Sequence, residues 1–319
     1  MDLTAPTTVI DFRVRVPSAT RPPLSAGGEV YTQYEAVLDI GDGWHKDMDT
    51  LLAELDEAGV GHAVLHAEYE HGDYADALNE EVAEQVRLRP DRFSGFGTVT
   101  LEPLTVMRAV RQVERVAALG LRGINVQPSF FGHAIDDRLL YPVYAKATEL
   151  GLAIALHTGV NYSRRHPIEG ERPARLDQVA CDFPEATLIA CHGAWPWVPE
   201  IVAVARRHPN VLVDFGGLAP KYLGVAGSGW ETMLRFMDRV LREQVLFATD
   251  WPVFPHRRAL EEWHGLGLRA ETLDALLHGN AARLLAAGAG RDEVEGTGHD
   301  VPKDRASSEP EPSQEEVAV

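Results

Sequence analysis

Three apolar runs of the sequence each end in a side chain that can hold a metal or move a proton. The runs are LAIALHTG at 152–159, ATLIACHGAWPW at 186–197 and VLFATDWP at 245–252, and they carry His157, His192 and Asp250. Such runs are typical of buried parallel strands, and in a strand–helix barrel the C-terminal strand ends face one shared cavity. Imidazoles and a carboxylate gathered there are suited to acid–base or metal-assisted chemistry. The three runs therefore predict an enzyme.

The remaining chain alternates strand-like runs with helical patterns. Apolar residues recur at helical spacing, as in Leu51 and Leu55 or Leu78 and Val82, and glycines stand between these helices and the next strands. The strand-like runs end near Arg15, His66, Val99, Gln127, His157, His192, Phe215 and Asp250. Eight strands alternating with helices predict an α/β fold, a (β/α)8 TIM barrel forming one domain over residues 1–288. An open doubly wound sheet is less favoured because no glycine-rich dinucleotide loop follows the first strand.

Composition narrows the class of protein. The chain has 319 residues, is 45% apolar and carries a formal net charge of −18. That charge argues against nucleic acid or an anionic membrane as a partner. The sequence contains no apolar run long enough to span a bilayer and no secretion signal, and its two cysteines are too few for a disulfide framework. We expect a soluble cytoplasmic protein with a small-molecule substrate.

Two segments depart from the alternating pattern. Residues 289–319 are acidic, rich in Pro, Ser and Gly, and almost without apolar periodicity, which predicts a disordered tail. Residues 17–46 interrupt the first strand–helix unit and are read as an insertion. This insertion is either a lid over the cavity, contributing Tyr31, Tyr34, Trp44 or His45, or an ordinary surface loop.

The motifs around the three polar strand ends, together with HGNAARLL at 278–285, resemble the amidohydrolase-related family. This second amidohydrolase group includes aminocarboxymuconate semialdehyde decarboxylase-like enzymes and several lactonases. The resemblance runs from about Val9 to Leu285. It implies a mononuclear divalent-metal site for zinc or manganese, whose usual ligands are a His-x-His pair on strand 1, His157 and Asp250. The family's strand-6 histidine, here His192, acts as an acid or base or adjoins the metal, so that His157, His192 and Asp250 are the ligands this chain could offer. The resemblance also implies that dimers pairing through helices at the barrel rim are a reasonable expectation.

The strand-1 pair is where this sequence departs from the family pattern. Arg13 and Arg15 stand where the two histidines would be. Because residues i and i+2 of a strand point the same way, we expect both guanidinium groups to project into the barrel mouth. Arginine cannot ligate a metal, and its fork suits a carboxylate. The pair predicts either binding of an anionic substrate group or internal salt bridges to Asp250, Asp11 or Asp214, and it makes a metal-free site at least as plausible as a metal site.

Three functions follow from this reading. In the first, a hydrolase cleaves a lactone, ester or amide that bears an anionic group. Asp250 is then the general base, and Arg13, Arg15, His157 and His192 bind the substrate and stabilise the oxyanion. The second is a carboxy-lyase acting on an aromatic or muconate-like acid, with His192 protonating the carbanion. The third is a non-catalytic barrel that binds a small molecule.

Other side chains near the strand ends are weaker candidates for substrate binding. They are His66, Asn125, Gln127, Trp195, Trp197 and Trp251. The tryptophans could wall a pocket for a flat or apolar substrate, and the amides could donate hydrogen bonds to it. Ordinary packing is the alternative for each of them.

Overall fold

The computed structural model describes residues 8–17, 33, 36, 37 and 46–289. The predicted lid residues Tyr31, Tyr34, Trp44 and His45, and the predicted tail beyond Ala289, lie outside these residues. Within them, no helix combines the length and the apolar character needed to cross a membrane.

Eight parallel strands follow the chain in order around one sheet, each hydrogen-bonded to the next. The strands are β1 Val9–Arg15, β2 Val60–His66, β3 Phe93–Gly97, β4 Gly123–Val126, β5 Ala153–Leu156, β6 Leu188–Ala190, β7 Val211–Asp214 and β8 Val245–Leu246. The sheet closes on itself, because Phe12 N donates to Phe247 O at 2.8 Å and Asp250 N donates to Arg13 O at 2.9 Å. This confirms the predicted TIM barrel.

Helices cover the outside of the barrel. They are α1 Met48–Ala58, α2 Tyr74–Leu88, α3 Val106–Ala118, α4 Tyr141–Glu149, α5 Pro173–Asp182, α6 Val198–Arg207, α7 Glu231–Met237, α8 His256–His264, α9 Ala270–Asp274 and α10 Asn280–Ala289. In α1 the Asp47 side chain accepts from Thr50 N at 2.8 Å, and Leu51 and Leu55 form the buried face. The helix ends at Gly59, whose φ of 72° is a left-handed cap that reverses the chain into β2.

The barrel interior has an apolar layer, and it is polar nearer the C-terminal ends of the strands. Phe12 and Phe96 meet edge to face with ring centroids 5.5 Å apart, and His66 stacks on Phe96 at 4.9 Å. Above this layer the interior fills with arginine and acidic side chains. Because buried charged side chains are rare in a packed core, the change from apolar to charged residues indicates that a functional site begins at this layer.

Strand β1 does not run regularly through this boundary. Its pairing with β2 shifts register between Asp11 and Val14. Arg13 and Arg15 were both expected to reach the barrel mouth, but only Arg15 borders the cleft there, and Arg13 is 1% exposed and buried beneath it.

Candidate active site

A cleft of about 590 Å³, including its open mouth, lies at the C-terminal ends of the strands. Six of the residues singled out from sequence border it, which are Arg15, Gln127, His157, His192, Trp195 and Asp250. The remaining lining residues are Glu68, Phe130, Val160, Asn161, Tyr162, Gly217 and Leu218. Polar groups thus converge on one side of a cleft whose other walls are largely apolar, an arrangement typical of a small-molecule site.

Strained backbone presents two of the polar side chains. His192 has a φ of 62° and Asp250 a φ of 57°, the left-handed region that non-glycine residues rarely occupy. Neither residue continues its strand, because β6 ends at Ala190 and β8 at Leu246. Their positions at the barrel mouth were predicted, but the extended conformation implied by reading them as strand ends was wrong. Such strain persists where surrounding contacts impose it, and it is concentrated at functional sites.

Asp214 supplies the contacts that impose the turn at His192. Its Oδ1 accepts from His192 N at 3.1 Å and from Gly216 N at 3.0 Å, and its Oδ2 accepts from Arg13 Nε at 3.1 Å. Burial would raise the pKa of Asp214, but Arg13, His192 and the backbone N–H groups outweigh it and lower the pKa to about 2. Asp214 is therefore an ionised anchor.

Arg15 and Asp250 form a buried bidentate pair at the edge of the cleft. Arg15 Nε donates to Asp250 Oδ1 at 3.2 Å, and Nη2 donates to Oδ2 at 3.0 Å. Glu68 Oε2 lies 3.1 Å from the same Nε. Burial acts to raise the pKa of Asp250, but the Arg15 guanidinium and His192 hold it below its usual range. In Glu68 burial prevails over the arginines, and the negative charge of Asp250 adds to it, so its pKa is raised.

Arg13 lies below the cleft and is satisfied by the protein itself. Besides Asp214, its guanidinium donates to Glu68 Oε1 at 3.2 Å and Asn125 Oδ1 at 3.0 Å, and its Nη2 lies 2.6 Å from Cys191 Sγ. These contacts realise the internal salt bridges that the sequence left open as the alternative to substrate binding.

His192 has a defined tautomer. Its Nδ1 lies 2.8 Å from Gly216 O, and since a carbonyl oxygen only accepts, Nδ1 carries the proton. Nε2 of the neutral ring is then a lone-pair acceptor. Burial and the neighbouring His157 lower the pKa of His192 to about 4, against the opposing charge of Asp250. The imidazole is consequently neutral at pH 7.

His157 is backed by a second buried carboxylate. Its Nδ1 lies 2.7 Å from Glu171 Oε1, a close contact whose angles fall outside those of a hydrogen bond. Glu171 is fully buried, accepts from Asn161 N at 3.1 Å and makes a short contact with Ser129 Oγ. The His157 and His192 rings are 4.6 Å apart between centroids. Two imidazoles with fixed Nδ1 sides therefore stand side by side in the cleft.

Five of the residues singled out from sequence do not border the cleft. Arg13, His66 and Asn125 are buried beneath it. Trp251 is buried outside the sheet, where its Nε1 donates to Glu54 Oε2 at 2.7 Å. Trp197 packs near Arg172, whose guanidinium carbon lies 6.0 Å from the ring centroid. For these two tryptophans, packing is the role that the structure gives.

Sequence reasoning missed Glu68 and Glu171 and treated Asp214 only as a salt-bridge partner. Glu68 follows the end of β2 by two residues, so it lies on the same side as His66, and that spacing could have identified it. Glu171 lies in a short helical turn, Ile168–Glu171, within an irregular segment, and no pattern in the sequence indicates it.

The donor set does not fit the metal ion that the resemblance implied. Among the described residues, the ligand atoms of His157, His192 and Asp250 do not all come within 4.8 Å of one another. Both oxygens of Asp250 already accept from Arg15, and the guanidinium charge would repel a cation placed beside it. Donor atoms do come that close in Asp177, Cys181 and His208 on the outer helices, where Arg207 pairs with Asp177 at 2.8 Å.

Comparison with known proteins finds one family and one fold. A model of the amidohydrolase family matches residues 31–286. A 2-amino-3-carboxymuconate-6-semialdehyde decarboxylase of Dictyostelium discoideum is 30% identical over 86 residues, which is 27% of this chain and 23% of that protein. The chain thus aligns with less than a quarter of that relative's length.

Solved structures share the barrel over nearly their whole length. An uncharacterised TIM-barrel protein from Bordetella bronchiseptica is 27% identical with a TM-score of 0.73, covering 88% of this chain and 99% of that one. A dihydroxybenzoic acid decarboxylase from Polaromonas, solved with bound manganese and an inhibitor, is 17% identical with a TM-score of 0.65, covering 90% and 99%. Further neighbours with this fold include a hydratase and a probable hydrolase.

Proposed function

The chain belongs to the amidohydrolase family of enzymes, and from that membership and the cleft geometry we propose that it hydrolyses a lactone, ester or amide without a metal ion. The observation that carries the proposal is the fixed tautomer of His192. With Nδ1 held by Gly216 O, the ring offers the cleft an unprotonated Nε2 beside the Asp250 carboxylate. That group can accept a proton from water.

The proposed reaction uses His192 as the base in place of Asp250. Asp250 is the weaker candidate because Arg15 holds both of its oxygens and its pKa is lowered. Water attacks the carbonyl carbon as His192 Nε2 takes its proton. The tetrahedral oxyanion is stabilised by the Gln127 amide N–H, which has no other hydrogen-bond partner among the described residues. The His192 imidazolium, favoured by the nearby Asp250, then protonates the leaving oxygen or nitrogen.

Two further features support catalysis over simple binding. The left-handed backbone at His192 and Asp250 costs stability, and such strain is concentrated at functional sites. Gln127 Nε2 is buried against the cleft and makes no hydrogen bond within the described part of the chain. An amide N–H in that state is prepared for an oxygen atom that arrives with the substrate.

The test is turnover of a panel of lactones, aryl esters and anilides by the wild type and the His192→Gln variant. Removal of the base lowers kcat/KM by roughly 100-fold or more on any substrate that is hydrolysed. His264→Gln, at the exposed end of α8, is the matched control and retains activity. Equal turnover by wild type and His192→Gln would contradict the assignment.

A carboxy-lyase is the second candidate, favoured by the stretch that is 30% identical to a decarboxylase. Its weakness is that the same tautomer leaves no proton on His192 Nε2 for a carbanion. Incubation in ¹⁸O-water separates the two reactions. Hydrolysis places one ¹⁸O atom in the acid product, whereas decarboxylation releases CO₂ and adds a proton in its place.

A further inference from the structure

We propose that the cleft selects uncharged carbonyl compounds and rejects carboxylates, and that Glu68 is the residue that enforces this selection. The proposal deepens the function proposed above by naming its substrate class. Its charge argument nevertheless concerns binding and can be tested without turnover. It replaces the anionic substrate expected from the two strand-1 arginines.

The first step is that Arg13 is not a substrate ligand. The residue is 1% exposed and does not border the cleft. Its Nε, Nη1 and Nη2 all donate to protein groups, with Asp214 and Glu68 as the charged partners. A substrate carboxylate could reach this guanidinium only by breaking buried salt bridges, which are costly to break from one side.

The second step is that Arg15 does border the cleft but already holds two carboxylates. Asp250 accepts from it at 3.0 and 3.2 Å, and Glu68 lies 3.1 Å from its Nε. The bidentate geometry that would recognise a substrate carboxylate is therefore taken by Asp250.

The third step is the charge count. Two guanidinium groups face three buried carboxylates, Glu68, Asp214 and Asp250, so with all three ionised the cluster carries one surplus negative charge before any substrate arrives. Burial raises the pKa of Glu68 against the opposing arginines, and the charge of Asp250 adds to the rise. A substrate carboxylate would add a fourth negative charge in a site shielded from water, where like charges repel strongly.

The fourth step is that the remaining surface suits a neutral ligand. Gln127 Nε2 is an uncharged donor, and Nε2 of the neutral His192 is an uncharged acceptor. Phe130, Val160 and Leu218 provide apolar wall. The carbonyl oxygen of an uncharged compound can accept from Gln127, an apolar body fits the wall, and an amide N–H or the attacking water can donate to His192 Nε2.

Glu68 is the member of the cluster that can be changed with least damage. Asp214 anchors the turn at His192, and both oxygens of Asp250 accept hydrogen bonds from Arg15. Glu68 accepts from Arg13 at 3.2 Å and borders the cleft. The Glu68→Gln variant keeps its shape and removes the surplus charge, which leaves a net charge of zero.

The experiment compares benzamide with benzoate, two ligands of the same shape that differ in charge. Binding is measured at pH 7.5 by quenching of tryptophan fluorescence, to which Trp195 at the cleft contributes. We expect the wild type to bind benzamide roughly tenfold more tightly than benzoate, and Glu68→Gln to reduce that ratio by roughly tenfold. Glu243→Gln, which removes the same charge from an exposed pair with Arg283, leaves the ratio unchanged.

Three results would overturn the proposal: tighter binding of benzoate than of benzamide by the wild type, binding of neither ligand, or an unchanged ratio in Glu68→Gln. The wild-type ratio does not depend on how the variant folds, and thermal unfolding verifies the variant. Absence of ester and lactone hydrolysis with the benzamide preference intact would count against the proposed function alone.

Discussion

Arg15 donates hydrogen bonds to both carboxylate oxygens of Asp250, from Nε to Oδ1 at 3.2 Å and from Nη2 to Oδ2 at 3.0 Å. The pair joins the end of β1 to the loop after β8, the two elements whose contact closes the barrel. Asp250 N also donates to Arg13 O at 2.9 Å, so both a side-chain pair and a backbone hydrogen bond connect β1 to the loop after β8. The site and the closure of the fold therefore depend on one another.

The Asp250→Asn variant tests this dependence. Asparagine has one oxygen in place of two and turns its NH2 group toward a guanidinium donor, so it cannot reproduce the bidentate pair. The loss of this buried charge partner lowers the free energy of unfolding by about 3 kcal/mol. Urea denaturation measures it. The exposed Arg283–Glu243 pair offers the comparison, because Glu243→Gln should cost less than about 1 kcal/mol. Equal free energies of unfolding for the two variants would show that the buried pair stabilises the fold no more than the exposed pair does.

The pH profile reports which group is the base. His192 must be neutral to accept a proton, and burial together with His157 lowers its pKa to about 4. The expected kcat/KM therefore rises as pH increases through about 4 and is level from about 5.5 to 8. Circular dichroism at the acid end distinguishes ionisation from unfolding. An acid limb near the ordinary histidine pKa would assign the base to another group.

Glu171 is expected to act through His157. Glu171→Gln preserves the shape of the side chain but removes the negative charge 2.7 Å from His157 Nδ1. We expect kcat to fall by roughly 10- to 100-fold with a smaller change in KM, as for other carboxylates that orient a histidine. Glu169→Gln changes an exposed carboxylate on the same short turn and serves as the control. A loss of stability without a change in kcat would make Glu171 a purely structural residue.

Metal content follows from the donor set. Because Arg15 occupies the oxygens of Asp250, protein purified without an affinity tag should contain well under one equivalent of zinc or manganese by plasma mass spectrometry. Activity should survive dialysis against a chelator. About one equivalent of metal in the wild type, lost in Asp250→Asn, would mean that the arginines move aside for a cation.

The sequence predicts the barrel well because the barrel depends on local patterns. Periodic apolar residues locate α1 to α3, and apolar runs locate the strands. Parallel strand ends must meet at one face, so placing His157, His192 and Asp250 around one cleft required no knowledge of side-chain contacts.

The partners of the arginines could not be predicted with the same ease. Arg13 meets Asp214 across 201 residues of chain, and Arg15 meets Asp250 across 235. Which acid each guanidinium reaches depends on the shifted register of β1, which no residue pattern shows. The sequence could name the acids but not decide whether they or a substrate would hold the arginines.

The left-handed backbone at His192 and Asp250 costs conformational free energy at two positions whose side chains the site needs. A glycine would adopt that backbone without strain, a relief of about 1 kcal/mol at each position, but at Asp250 it would also remove the buried partner of Arg15, and that loss is larger. Selection for thermal resistance alone should therefore retain Asp250, and His192 is the position where it would exchange the catalytic side chain for relief of strain. A more stable variant that keeps its chemistry would have to retain His192 and Asp250 and gain stability from substitutions at other positions.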